Sequence, residues 1–300
     1  MSEELNIGRN ITGNKELSLF TLLNTNSRYL CPKVNSFIDN FKEMYASLAI
    51  VTETWLKDGQ ELDNDIDDLL HGAGIGLIAL NRKPGRHGVA HGGVAVAYRA
   101  AVMSMSRVKM DNPRRFEVLA TVGTLAGFAR KLVTVAVYIP PGYTARRGKQ
   151  CMEHVAATIM EVKRRYREPF IVVTGNFNQW DISVHLEDFA DISEVPVGHT
   201  RGTSCIDRVF TNFGDKVKAR GTLDPLDVDP GERGEPSDHR VAYVRADIKR
   251  LEAFDWLTYS YMFYNVDSKA SFGNWIKGHD WSHVMMQRSS NDKAVSYQTP

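Results

Sequence analysis

Nine short runs dominated by valine, isoleucine, leucine and alanine recur along the first 250 residues of the chain. They are Leu17–Asn24, Leu48–Glu53, Gly76–Leu80, Gly93–Tyr98, Glu117–Val122, Leu132–Ile139, Phe170–Gly175, Ile206–Thr211 and Arg240–Arg245. Their shortness and β-branched content suit strands, because a buried helix needs roughly ten or more residues. Val133, Val135, Val137 and Ile139 alternate with other residues, which predicts a strand with one buried face. Between these runs, two segments carry a helical stripe. Val34–Met44 places Val34, Phe37, Ile38 and Phe41 on one side, and Gln150–Tyr166 does the same with Met152, Val155, Ile159 and Val162. So many strands with so few helices cannot alternate as strict βαβ units. A two-sheet sandwich with helices outside is the expected α/β (α+β) architecture.

The texture changes near Arg250. Residues 1–16 read as a flexible N-terminus and 17–250 as the domain. Residues 251–300, rich in Trp, Tyr, Ser and Asn, read as an appendage or linker. Hydrophobic residues at 43% and charged residues at 24% exclude wholesale disorder and fibrous repeats. No window approaches the ~18 uninterrupted apolar residues of a spanning helix, so no membrane is expected. The N-terminus carries no basic start and no apolar core, so no secretory signal is expected. Cys31, Cys151 and Cys205 are far apart, form no Cys-x-x-Cys pair and cannot all be paired, which predicts a reduced intracellular setting, cytoplasmic or nuclear.

With 37 basic and 36 acidic side chains, net charge does not announce a partner. Its distribution is uneven: seven acids and one lysine lie between Glu53 and Asp68, and basic residues gather at 99–115, 146–149 and 163–167. A solvated surface accounts for each run singly, and acidic ends beside basic rims also suit a phosphodiester substrate.

Chemistry collects where rigid strands hand polar side chains to loops. Here the predicted strands end, in order, on Asn24, on Thr-Glu-Thr-Trp-Leu around Glu53, and on Tyr138 before Ile-Pro-Pro. They continue with Gly175-Asn176-Phe177-Asn178, Ile206-Asp207, and Ser237-Asp238-His239. That ordered set resembles the endonuclease/exonuclease/phosphatase superfamily, and most closely the endonuclease domain that precedes reverse transcriptase in non-LTR retrotransposons. Gly92-Gly93-Val94-Ala95-Val96 and Thr200-Arg201-Gly202 add to the resemblance, which spans roughly residues 17 to 247. It implies a four-layer sandwich of two packed mixed β-sheets flanked by helices.

The resemblance also implies roles. Glu53 would be the main ligand of Mg²⁺, for which Mn²⁺ substitutes, with Asn24 beside it and Asp238 a possible further ligand. His239 would face the scissile phosphate, oriented by Asp207, while Tyr138 and Asn178 hydrogen-bond the phosphate and help to fix the water. DNA is the implied partner, with a downstream reverse transcriptase in a longer polyprotein. Arg86, Arg114, Arg115, Arg146, Arg147, Thr200 and Arg201 are candidates for DNA contact. The chemistry is coherent on its own terms, since phosphodiester hydrolysis needs a cation on a non-bridging oxygen, an in-line water and charge stabilisation at phosphorus.

One position departs from the family pattern. Where the family has aspartate in Gly-Asp-Phe-Asn, this chain has Asn176, and an amide cannot accept a proton at neutral pH. The expected function is a magnesium-dependent DNA endonuclease that nicks its target, impaired at Asn176. The alternatives are a catalytically silent nucleic-acid-binding module, or a phosphatase or deadenylase of the same superfamily.

Other signals are weaker. His279 and His283 share a helical spacing without the glutamate or third ligand of a zinc site. Gly72, Gly74 and Gly76 read as a turn into a strand, His87 and His91 as part of a surface hairpin, and Cys205 as a small buried strand residue. No Gly-x-Ser-x-Gly elbow or phosphate-binding Gly-x-x-x-x-Gly-Lys loop is present.

Overall fold

The computed structural model describes residues 19–56, 64–81, 91–110, 116–126, 130–186 and 188–248. The predicted flexible N-terminus, the 251–300 appendage, His279, His283, His87, Arg86, Arg114 and Arg115 lie outside the described residues. Twelve strands and four α-helices are described.

The strands are β1 (Phe20–Asn26), β2 (Leu48–Thr52), β3 (Ile75–Leu80), β4 (Val94–Arg99), β5 (Met103–Arg107) and β6 (Glu117–Leu125). They continue with β7 (Leu132–Tyr138), β8 (Phe170–Asn176), β9 (Ser193–Glu194), β10 (Asp207–Thr211), β11 (Val217–Pro225) and β12 (Arg240–Ala246). The helices are α1 (Val34–Glu43), α2 (Asn64–Gly72), α3 (Ala145–Arg165) and α4 (Ser183–Leu186).

Two six-stranded sheets form, ordered β11-β12-β1-β2-β4-β3 and β5-β6-β7-β8-β10-β9. Each has one parallel pair at its centre, β1 with β2 and β7 with β8, and antiparallel neighbours elsewhere. The same directional pattern in both sheets brings the C-terminal ends of all four central strands to one edge of each sheet. The N-terminal ends of the antiparallel neighbours β10 and β12 lie at those same edges.

Period-two alternation sorts the strand residues into layers. Leu22, Leu48, Ile50, Val94 and Val96 of one sheet pack against Leu119, Leu132, Ala136, Val172 and Val209 of the other. Their strand neighbours face outward. Leu23, Ala49, Val51 and Ala97 meet Val34, Phe37, Ile38 and Phe41 of α1 and Leu70 of α2. Val133, Val135, Val137, Ile171 and Val173 meet Val155, Ile159 and Val162 of α3. This is the four-layer α/β sandwich expected from the sequence. The alternating valines of β7 differ from expectation in one respect, for every residue from Leu132 to Tyr138 is buried, because α3 covers the valine face while Leu132, Ala136 and Tyr138, on the face that was expected to meet water, pack into the core between the two sheets.

Helix α1 has no side-chain cap of its own. Asp229 supplies one from a distant loop, its carboxylate accepting from the backbone N–H groups of Asn35 at 2.9 Å and Ser36 at 3.1 Å. That contact ties the loop preceding β12 to the helix after β1. The Gly72–Gly76 segment closes α2 and enters β3 through a left-handed Gly74, as the turn reading expected. Among the described residues no helix is long and apolar enough to cross a membrane.

Candidate active site

The common strand edge delivers the polar residues singled out above. β2 ends at Thr52, and Glu53 leaves the strand with a left-handed φ of 51°, a conformation unfavourable for a side chain with a Cβ. Its Oε1 accepts from Asn26 Nδ2 at 2.7 Å and from Tyr138 Oη at 3.0 Å. Asn26 is therefore a site residue that the sequence reading missed. It lies two residues beyond Asn24 on the same face of β1, so period-two spacing was the signal that could have found it. Asn24 itself makes no hydrogen bond to Glu53 among the described residues. It crosses the sandwich, donating from Nδ2 to the backbone oxygen of Gly175 at 3.3 Å.

Gly175 makes that crossing possible. A Cβ at this position would lie 1.9 Å from the carbonyl oxygen of Val137, and φ is +144°, so only glycine lets β8 approach β7 here. Asn176 follows at the end of β8, fully buried, directly opposite Asp207 in the antiparallel register with β10. Its Oδ1 accepts from the Asn178 backbone N–H at 2.9 Å, and Asn178 Nδ2 donates to the Ile139 carbonyl at 2.8 Å. Asn178 Oδ1 has no donor among the described residues.

His239 and Asp207 form a buried pair with Nδ1 and Oδ2 2.6 Å apart. A carboxylate accepts, so Nδ1 carries the proton and Nε2 is turned to other work. The amide nitrogen of Asn176 lies 3.5 Å from the same Nδ1. Both are donors, so this contact is an abutment and not a bond. Thr200 holds the base of the pair, its Oγ1 accepting from the backbone N–H groups of Ile206 and Asp207 at 3.1 Å each. The structure thus gives Thr200, a candidate for DNA contact, a buried place beneath Asp207. Ser237 knits the two sides together by donating to the Asn26 carbonyl at 2.6 Å and accepting from His239 N–H at 3.1 Å.

Asp238 is only 34% exposed and sits between two guanidinium groups, Arg201 at 2.6 Å and Arg28 at 3.3 Å. Burial alone would raise its carboxyl pKa. The positive charges of His239, Arg201 and Arg28, together with the Arg201 hydrogen bond, outweigh that effect and hold it below the usual carboxylate range. Arg201, a candidate for DNA contact, is thus held beside His239 by Asp238, and so is Arg28, which the sequence reading did not single out. Arg146 and Arg147 lie in the first turn of α3, where the Arg147 guanidinium rests 4.1 Å over the Tyr143 ring. Cys205 precedes β10 in a loop and is half-buried, not a buried strand residue. His91 is exposed and meets the ring of Trp55 edge-on.

Among the described residues, no three His, Cys, Asp or Glu side chains cluster in a metal-binding arrangement. A magnesium ion asks for less, being held by one or two carboxylates, several waters and substrate phosphate oxygens. The donors present fit that pattern. Glu53 Oε2 has no hydrogen-bond donor among the described residues, and Asn24 Oδ1 is buried without a partner, an arrangement costly unless something satisfies it.

The comparisons with known proteins agree with this architecture. The family model described as Endonuclease/Exonuclease/phosphatase family matches residues 7–239. No curated protein matches the sequence. Among solved structures, a 3′-5′ exonuclease from Neisseria meningitidis superposes with a TM-score of 0.55 at 14% identity, covering 76% of this chain and 100% of that one. An AP endonuclease from Archaeoglobus fulgidus gives 0.53 at 12% identity, with 76% and 100% covered. The endonuclease domain of TRAS1, a telomere-specific non-LTR retrotransposon, gives 0.52 at 13%, with 76% and 98% covered. At these identities the likeness carries the fold.

Proposed function

Because the chain belongs to the endonuclease/exonuclease/phosphatase family, we propose that it is a divalent-metal-dependent phosphodiesterase acting on DNA, a nicking endonuclease of retroelement type. The observation that carries this reading is the convergence of Glu53, Tyr138, Asn178, Asp207 and His239 from both sheets onto one edge, with His239 locked on Asp207 at 2.6 Å.

Glu53, with Asn24 and Asn26 beside it, would hold Mg²⁺, or Mn²⁺ in its place. When bound, that ion supplies positive charge to a non-bridging phosphate oxygen. The protein's own groups supply the rest. In its imidazolium form, with Nδ1–H held by Asp207, His239 would donate from Nε2 to a phosphate oxygen as negative charge builds there. The free Oδ1 of Asn178 can accept from the attacking water and fix its line of approach. Tyr138 Oη donates to Glu53 and so holds that carboxylate in place. Asn176 positions Asn178 but takes no proton, which predicts slow turnover. Arg28 and Arg201 bring positive charge to the substrate strand beside the site. Under this reading the protein works inside the cell on DNA, and residues 251–300 lead toward a reverse transcriptase.

The buried amide at Asn176 also favours a second reading, a domain that binds nucleic acid and cuts it little or not at all. Incubation with supercoiled plasmid, followed by polymerase extension of the nicks, tests the first reading. Extendable nicks are expected, because they report a 3′-hydroxyl. Plasmid that is bound but left intact supports the second reading, and release of phosphate from a small phosphomonoester with intact plasmid overturns both.

A further inference from the structure

The two loops that carry Asn26 and Glu53 continue into an aromatic column. The Tyr29 and Trp55 rings stack with centroids 5.7 Å apart at 18°, and His91 meets the indole edge-on at 4.5 Å and 82°. Main-chain bonds fix the column to the site. Tyr29 N–H donates to the Glu53 carbonyl at 2.9 Å, Leu30 N–H to Thr54 at 3.2 Å, and Trp55 N–H to Gly92 at 2.8 Å. Four non-glycine residues in these two loops, Arg28, Tyr29, Glu53 and Trp55, have left-handed φ values of 42°, 81°, 51° and 54°. Side chains with a Cβ adopt that conformation at a cost, and it persists where surrounding contacts impose it, characteristically at ligand-holding sites.

Beside the column lies a cavity of about 160 Å³. Arg28, Tyr29 and Trp55 line it, together with Glu235 and Pro236, which lead directly into Ser237, Asp238 and His239. Its walls are therefore extensions of the loops that deliver the reacting groups. The buried Lys33 also lines it. Lys33 Nζ donates to the carbonyls of Arg28 at 2.9 Å and Tyr29 at 3.3 Å, and its third proton has no acceptor among the described residues. The indole N–H of Trp55 is likewise buried without an acceptor. Tyr29 is 39% exposed.

These features select one kind of occupant. An apolar ligand would leave both donors unsatisfied, and a free anion would have no use for the rings. A nucleotide has a flat face to stack, an acceptor-bearing edge for N–H groups, and a phosphate at short reach for Arg28. Resting on the phosphodiesterase reading above, we propose that this column and cavity form a nucleobase subsite, in which the nucleotide next to the scissile phosphate stacks its base on Tyr29.

Fluorescence anisotropy with a labelled short oligodeoxythymidine, and with the matching oligomer of abasic nucleotides, tests this in Ca²⁺ to suppress turnover. Loss of one base–aromatic stack should weaken oligodeoxythymidine binding by roughly 5- to 150-fold in Tyr29→Ala. The abasic oligomer should bind this variant as it binds the parent protein. Trp55→Phe keeps a ring and removes the indole N–H, and should cost about tenfold or less against oligodeoxythymidine alone. Equal affinity of the parent and Tyr29→Ala for oligodeoxythymidine would overturn the subsite, as would equal losses on both oligomers. Failure of the parent to bind either oligomer would instead overturn the nucleic-acid reading on which the subsite rests.

Discussion

Replacing Asn176 by aspartate restores the residue that the family pattern carries at this position, and the geometry sets what it should gain and cost. An aspartate oxygen in place of Oδ1 keeps the 2.9 Å bond from Asn178 N–H. The second oxygen takes the place of the amide nitrogen that abuts His239 Nδ1 at 3.5 Å. A positioned general base is typically worth ~10²–10⁴-fold, and single-turnover nicking should rise by that order. The opposing cost comes from Asp207, which lies directly opposite in the strand register and whose buried Oδ1 lacks a donor among the described residues. Burial and a like charge both raise the pKa of a new carboxyl group. A carboxyl raised above its unfolded value of about 3.9 leaves stability untouched at lower pH. It then destabilises the fold as pH climbs from that value to the folded one, by about 1.4 kcal/mol per unit of elevation. The variant should therefore melt with the parent protein near pH 4 and below it at neutral pH. Its nicking rate should climb about tenfold per pH unit and level off once the new carboxyl ionises. The assay is single-turnover nicking of supercoiled plasmid by both proteins at equal metal and salt, with thermal melting alongside. Equal rates from two folded proteins would show that position 176 does not carry the base.

Three further perturbations follow from the structure. Gly175→Ala places a Cβ 1.9 Å from the Val137 carbonyl oxygen, and should destabilise the domain by about 2–3 kcal/mol or more, read as a lowered urea midpoint. The Arg208 guanidinium, through its hydrogen bond, holds the Asp181 carboxyl down to about 2. Its stabilising contribution is complete above the unfolded value of about 3.9 and is lost as pH falls toward 2, so the parent and Asp181→Asn should converge in urea midpoint over that window and differ at neutral pH. DNA affinity should fall with salt at a log–log slope of roughly −0.9 per phosphate contact, and Arg201→Ala or Arg28→Ala should each reduce the slope by about one such step.

Much of the fold was legible because buried strands announce themselves. β2, β4, β7 and β8 are covered on both faces, and their unbroken Val, Ile, Leu and Ala content left little choice. The strands that escaped notice lie at or near edges and pack on one side at most. β5 reads Met-Ser-Met-Ser-Arg, β11 alternates between half-buried and exposed residues through two register shifts, and β9 spans two residues. Helix α2 passed as an acidic run, and α3 begins at Ala145 rather than Gln150 because its polar first turn, capped by Thr144, carries no apolar stripe. At the site, residues at strand ends were readable because rigid strands fix their direction. Asn26 also closes β1 and could have been found by its spacing from Asn24, whereas Arg28 could not, since it takes its meaning from Asp238, which only the fold brings within 3.3 Å. Thr200 shows the converse, a polar residue in a promising motif whose hydroxyl is spent on the backbone of Ile206 and Asp207.

The central claim is that Glu53 anchors a divalent cation for phosphodiester cleavage. It is tested most directly by plasmid nicking in Mg²⁺ with Asn176→Asp as the parent and Glu53→Gln added to it. The substitution removes the charge while keeping the shape and the acceptor for Asn26 and Tyr138. The account predicts nicking by the parent that chelation abolishes, and loss of that nicking by orders of magnitude in the Glu53→Gln protein, which remains folded. Nicking that survives both chelation and Glu53→Gln would contradict it.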